Sequence, residues 1–245
     1  MTGETAMPIR RAMVLAAGMG TRMRPLTAIT PKPLIPVAGE ALIDRAFDKL
    51  EAAGVETCVV NVHYLADLVE VHVARRPGLP KAVVSDERGL LLETGGGIVK
   101  ALPLLGEQPF FLLNSDSTWI EGVVPNLDHL RAAWKPDEMD ALLLLSEYVE
   151  SVGYDGKGDF IIDPHGRLKR RPERTVAPFA YAGAAILHPR LFENAPEGAF
   201  SLNRLVDVAI ARGTLYGVQM EGVWLHVGTP ESIAEAERAI RNSTR

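Results

Sequence analysis

The sequence predicts one α/β domain, residues 1–245, built on a Rossmann-like mixed sheet, mainly parallel, with helices on both faces. Three observations carry this expectation. Strand and helix patterns take turns through the first half, extended patterns crowd the second half, and no composition shift, linker, repeat or low-complexity run divides them. A hydrophobic content of 47% over 245 residues is enough for a sizeable core.

In chain order, RRAMVLAA reads as a strand, and LIDRAFDKLEAA as a helix with Ile43, Ala46, Phe47 and Leu50 on one face and Gly54 as its stop. ETCVVNV is a strand. A helix over residues 65–75, a strand over 82–85, a short helix from about Gly97 and the apolar strand PFFLL follow. DALLLLSEYV, GDFIID, GRLKR, YAGAAILHP, TLYGVQM and GVWLHVG read as extended, with helices near 202–211 and 230–241. That run of strands implies a sheet enlarged by mixed or antiparallel strands that carry an acceptor pocket.

A formal net charge of -5 gives no electrostatic footprint for nucleic acid or an anionic membrane surface. The start MTGETAMPIRR has no apolar stretch behind its charges, and no uninterrupted apolar run reaches the roughly 18 residues of a membrane span. The single cysteine, Cys58, rules out an intramolecular disulfide and reads as a buried, inert thiol in a reducing compartment. A cytoplasmic protein is the expectation.

Against that mild acidity, residues 16–34, AAGMGTRMRPLTAITPKPL, contain no acid at all. From Met1 to Leu34 there are five Lys or Arg against one Glu. Gly18 and Gly20, straight after the first strand, let backbone N–H groups approach a ligand closely, a nest that favours an anion. Arg22 and Arg24 offer planar forks to phosphate oxygens, Lys32 a compact charge on a long stem. Pro25, Pro31, Pro33 and Pro36 stiffen the excursion. A dinucleotide fingerprint fails because Met23 stands where a third glycine or alanine is needed, and a Walker loop fails because Gly-Lys-Ser/Thr occurs nowhere. A Gly/Pro-rich surface turn with solvated arginines remains the plainer alternative, but it leaves the missing acids without a cause.

LAAGMGTRMRPLT followed by PKPLIPVAG resembles the signature of the sugar-1-phosphate nucleotidyltransferases, and ETGGGIVKALPLLG, LLNSD, GKGDF and WLHVGTPE follow in that family's order over most of the chain. The ETGGG and GDF segments and the short chain are most similar to the branch that joins UTP to N-acetylmuramate-1-phosphate in peptidoglycan recycling; the mannose-1-phosphate guanylyltransferases come next. The resemblance implies a fold of the nucleotide-diphospho-sugar transferase type. It also implies an enzyme in which a sugar-1-phosphate oxygen attacks the α-phosphorus of an NTP and pyrophosphate leaves in line. Such chemistry needs no protein nucleophile, because the attacking oxygen is already anionic; the protein must hold two polyanions together and neutralise developing charge. A carboxylate in the cradle would repel both.

The same resemblance implies that Ala16, Ala17, Gly18, Met19, Gly20, Thr21 and Arg22 hold the nucleotide together with Glu93, Gly95 and Asn114. Arg22, Lys32 and Asp116 are implied as catalytic: Arg22 on the departing pyrophosphate, Lys32 on the α-phosphate and sugar phosphate. Asn114, Gly158, Asp159 and Gly183 are implied on the sugar side. Asp116, expected at the carboxyl end of PFFLL, is implied as a Mg2+ ligand, since Mg2+ takes one or two carboxylates plus phosphates and water. Plainer roles stay open: Thr94 as an N-cap with the glycines as a hinge, and Asp159 as a strand start or a partner of Lys157.

One departure matters. Where the family reads W-x-D-x-G-T, with the aspartate as second metal ligand, this chain reads WLHVGT, placing His226 there. Imidazole suits Zn2+, Cu2+, Fe2+ or Ni2+ better than Mg2+. Three readings follow: His226 ligates a metal of altered preference, it donates to phosphate while Asp116 and substrates carry Mg2+, or it marks a catalytically weak, sugar-nucleotide-binding regulatory subunit. His63, His72, His129, His165 and His188 show no metal-ligand spacing. RLKRRPER, DKLEAA and the acidic face of the last helix read as solvated. The partners implied are an NTP and a sugar-1-phosphate, with no nucleic acid and no membrane; the sequence does not set the oligomeric state.

Overall fold

The structure, a computed structural model, describes residues 8–147 and 151–243. Strand β1 (Arg11–Leu15) runs into the acid-free segment, which folds as three 3-10 turns at Thr21–Met23, Leu26–Ala28 and Lys32–Leu34. A two-residue hairpin, β2 (Pro36–Val37) and β3 (Glu40–Ala41), leads to α1 (Leu42–Ala52), β4 (Thr57–Val62), α2 (Ala66–Arg75), β5 (Lys81–Asp86), α3 (Glu93–Leu105) and β6 (Phe110–Asn114). The remainder runs β7 (Ser117–Glu121), α4 (Asn126–Ala133), β8 (Ala141–Glu147), β9 (Phe160–Ile162), β10 (Leu168–Arg170), β11 (Phe179–Leu187), α5 (Asn203–Arg212), β12 (Leu215–Gln219), β13 (Gly222–His226) and α6 (Pro230–Ser243).

Among the described residues nine strands form one sheet in the order β10-β9-β11-β6-β1-β4-β5, with β8 also on β11 and β12 on β8. In its first half β1 pairs parallel with both β4 and β6, and β4 with β5. In its second half β11 runs antiparallel to β6 and β8, the mixed extension expected from the strand-rich sequence. Side chains alternate across this sheet, so Ala12 and Val14 of β1 pack with Phe47 of α1, Val69 of α2 and Leu130 of α4, while Met13 packs with Ile98 of α3 and Leu205 of α5. Helices therefore cover both faces.

A third cluster bears directly on the site: Met23 and Ile35 from the acid-free segment meet Leu225, Val227 and Ala236. Met23 is fully buried, and side chains of its kind contribute roughly 1.5–3 kcal/mol each on burial. The basic loop is thus bolted to β13 and α6.

Three sequence expectations change. The helix expected from about Gly97 begins at Glu93, because the Phe200 carbonyl accepts the N–H groups of both Gly95 (2.8 Å) and Gly96 (3.2 Å) and so satisfies the first turn. Thr94 accordingly is not the cap; its hydroxyl accepts the N–H of Leu202 at 2.8 Å. GVWLHVG does not join the main sheet: β13 pairs antiparallel with β7, a strand the sequence pattern did not show, placing His226 opposite Ser117. Helix α4 was also not anticipated. The strand DALLLLSEYV is seen over Ala141–Glu147; Asp140 lies in the bend before it, and Tyr148 and Val149 lie outside the described residues.

Candidate active site

At the carboxyl end of β1 the chain must leave the sheet with its backbone polar groups satisfied, and buried Asn61 at the end of β4 provides for this by accepting the Ala16 N–H on Oδ1 at 2.8 Å. The other end of the Asn61 amide donates to buried Glu87 at 2.8 Å, and Glu87 in turn accepts the Leu92 N–H at 3.1 Å. One amide thereby ties the cradle to the entry of α3.

Past Ala17 the loop turns sharply at Gly20, whose φ of 60° lies in the left-handed region. A β-carbon there would sit 2.8 Å from Thr27 Cγ2, so the loop folds back on itself only with glycine at this point. Thr27 closes the fold by donating its hydroxyl to the Gly20 carbonyl at 2.8 Å, and Tyr64 donates to the Thr27 carbonyl at 2.8 Å. Gly18, by contrast, has open space where a β-carbon would project. The loop is preorganised by its own contacts, the condition for binding a polyanion without a large ordering cost.

β6 ends beside β1. The Ser115 hydroxyl donates to the Leu15 carbonyl at 2.7 Å, and the next residue, Asp116, meets Lys32 with Nζ 3.0 Å from Oδ2. The lysine side chain is 11% exposed and the aspartate 27%. The Asp116 carbonyl also accepts the Val227 N–H at 3.0 Å, which brings β13 and the His226 segment to the same place. A β-carbon on Gly228 would lie 2.8 Å from His226 Nε2 and 3.7 Å from an Arg22 guanidinium nitrogen, so this glycine is where Arg22 and His226 converge. Burial pushes the His226 imidazole below its ordinary pKa; Asp116 opposes this, while Lys32 and Arg22 add to it. The ring is therefore neutral at neutral pH, tilted against Trp224 at 5.4 Å and edge-on at 6.1 Å to Tyr154.

A cavity of about 410 Å³ opens here, and Ala16, Ala17, Gly18, Lys32, Glu93, Asn114 and Asp116 are in its wall. Met19, Gly20, Thr21 and Arg22 continue the loop outside that wall. Gly95 lies behind it, buried against the Phe200 ring. A second cavity, about 300 Å³, shares Thr94 and Asn114 with the first and contains Asp159, whose carboxylate accepts the Tyr181 N–H at 3.0 Å. Gly158 and Gly183 are not in its lining: the first is packed on the Ala177 carbonyl and the second on Ser117.

Sequence reasoning missed Asn61, Glu87 and Ser115. The asparagine left a signal, a polar residue inside the apolar run TCVVNV; Glu87 and Ser115 left none, because their roles depend on which strands become neighbours.

The donors present, one carboxylate and one imidazole, fit a divalent ion only where substrate supplies further ligands. Asp116 keeps Oδ1 free of hydrogen bonds among the described residues, and His226 supplies one neutral nitrogen nearby. No three His, Cys, Asp or Glu side chains converge on a metal position among the described residues, so the remaining ligands would come from phosphates and water, the habit of Mg2+. Among the described residues no helix is long and apolar enough to cross a membrane.

The chain is similar to known proteins in sequence and in fold. The "Nucleotidyl transferase" family profile matches residues 11–243. The chain is 50% identical over 229 residues to an N-acetylmuramate alpha-1-phosphate uridylyltransferase of Caulobacter vibrioides, covering 92% of this chain and 95% of that protein. It is 34% identical over 234 residues to the enzyme of the same name from Neisseria meningitidis, covering 93% and 96%. In architecture it is similar to a solved UDP-glucose pyrophosphorylase in complex with UDP-glucose, with a TM-score of 0.78 at 20% identity over 96% of this chain and 99% of that one. The chain belongs to the nucleotidyl transferase family.

Proposed function

We propose that this protein transfers a uridylyl group from UTP to N-acetylmuramate-1-phosphate and releases pyrophosphate. The observation that carries this reading is the Lys32–Asp116 pair, set where an acid-free, preorganised loop lines a cavity of about 410 Å³ that shares Thr94 and Asn114 with a second. The two relatives that match over most of their length carry that activity in their names.

An oxygen of the sugar phosphate attacks the α-phosphorus of UTP; the new P–O bond forms as the bond to the β-phosphate oxygen breaks, and the electron pair leaves on pyrophosphate. No proton needs to be removed from the attacking oxygen. Loop N–H groups beyond Ala16, whose own N–H is held by Asn61, hold the triphosphate, Lys32 exchanges Asp116 for phosphate oxygens, and Arg22, beside Gly228, neutralises the departing pyrophosphate. Asp116, with His226 as a second donor, would hold Mg2+ or another divalent ion, which supplies positive charge to the α-phosphate when bound. Asn114 faces both cavities and so orients both substrates. The reaction serves reuse of cell-wall sugars in the cytoplasm.

Pyrophosphate release across a grid of nucleoside triphosphates, sugar-1-phosphates and divalent metals tests this. UTP with N-acetylmuramate-1-phosphate should give the highest kcat/KM. GTP with mannose-1-phosphate as the best pair would replace the substrates, and thermal stabilisation by nucleotide without pyrophosphate from any pair would make the protein a binder.

A further inference from the structure

The second cavity has one cation in its wall, Arg170, among the described residues. Its placement follows from strand alternation: in β10 Leu168 is buried in the core and Lys169 is exposed, so Arg170 returns to the inner face. The basic cluster that reads as solvated in the sequence thus turns one arginine inward. The guanidinium is fixed from three sides: Nε lies 2.7 Å from Asp207, Nη2 lies 2.8 Å from the Asn203 side chain, and the group stacks 5.0 Å over the Phe160 ring. Nη1 donates to no described residue. On the same wall the Tyr181 hydroxyl is buried without a hydrogen-bond partner among the described residues, so the chamber has polar demand that its lining residues do not meet.

We infer that Arg170 is a specificity-determining residue that reads a carboxylate on the acceptor sugar. This rests on the proposed acceptor, which differs from N-acetylglucosamine-1-phosphate by a lactyl ether bearing one carboxylate. Asn114 and Thr94, shared by the two cavities, mark the end where the acceptor's phosphate must lie to reach the nucleotide; Arg170 lines the chamber beyond that junction. A carboxylate moved out of water into this chamber without a cation would be uncompensated, and the Asp159 carboxylate would add repulsion. A guanidinium whose plane is already fixed and whose outer nitrogen is unused meets it at little ordering cost. Asp207, 60% exposed, competes for the same charge.

The test compares kcat/KM for N-acetylmuramate-1-phosphate and N-acetylglucosamine-1-phosphate, both with UTP, in the native chain and in Arg170→Gln. The ratio of the two acceptors should fall by about ten- to a hundredfold in the variant, through KM for the carboxylate-bearing acceptor, while the other acceptor changes little. Because both acceptors are measured on the same variant, a loss of folded protein cancels. Asp207→Asn should raise the ratio. An unchanged ratio in Arg170→Gln, or an equal loss for both acceptors, overturns the inference while leaving the proposed reaction standing. A native chain that does not prefer the carboxylate-bearing acceptor overturns the proposed acceptor and this inference with it.

Discussion

Lys32 and Asp116, 84 residues apart in sequence, meet with Nζ 3.0 Å from Oδ2 at the point where the loop after β1 faces the end of β6. In the proposed reaction each gives up the other for a substrate-side partner: the lysine for phosphate, the aspartate for a cation. Two unit charges about 4 Å apart interact with on the order of 4 kcal/mol at an effective dielectric near 20. Lys32→Ala should therefore lower turnover by roughly two to three powers of ten. The melting temperature should change little, since a partly exposed ion pair contributes only about 0–1 kcal/mol to folding. Near-normal pyrophosphate release from this variant would remove Lys32 from the mechanism.

In the proposed reaction His226 sets the metal preference. With a neutral nitrogen beside the Asp116 carboxylate, the native chain should work relatively better with nitrogen-accepting ions such as Ni2+ or Zn2+ than His226→Asp does, and the aspartate variant should keep or gain rate with Mg2+. Rates under each metal, together with calorimetric metal affinities, check this. Equal metal profiles for the two proteins would remove His226 from the metal's surroundings.

The glycines of the α3 entry and of the cradle should separate stability from binding. A β-carbon on Gly97 would lie 2.7 Å from Glu87 Oε1 and 3.0 Å from Asn61 Nδ2. Gly97→Ala gains about 1 kcal/mol of helix propensity but pays about 1–3 kcal/mol for overpacking, so the net expectation is a lower melting temperature. Gly18→Ala meets no atom within 4 Å and should fold normally while raising KM for the nucleotide. Thermal melts and NTP saturation curves on both variants decide the matter.

A pH effect on folding should come from His188, remote from the cradle. Its Nδ1 accepts the Arg190 N–H at 3.1 Å, which requires the neutral ring, and burial pushes its pKa below the ordinary value, with Arg190 adding to the shift. Between the lowered value and the ordinary 6.5 or so, the unfolded chain binds more protons than the folded one, so stability falls as pH falls through that window. His188→Asn should flatten this slope in denaturant titrations; an unchanged slope would assign it to other groups.

The alternation of elements from β1 to β6 was legible because each apolar strand and amphipathic helix carries its own period within a few residues. Lys32 and Asp116 were legible through motif resemblance, although their 3.0 Å contact was not. What sequence concealed depends on distant partners. Helix α3 starts four residues earlier than its glycines suggest, because Phe200 supplies the acceptor for its first N–H groups. β13 leaves the main sheet because β7, unrecognised beforehand, offers it an edge. Asn61 and Arg170 face inward through strand registers that no local pattern reports.

A crystal structure with bound UTP tests the central claim most directly. The triphosphate should lie against the backbone from Ala16 to Thr21, with Lys32 within hydrogen-bond reach of its α-phosphate and no longer paired to Asp116. A triphosphate seated elsewhere, with the Lys32–Asp116 contact intact, would contradict it.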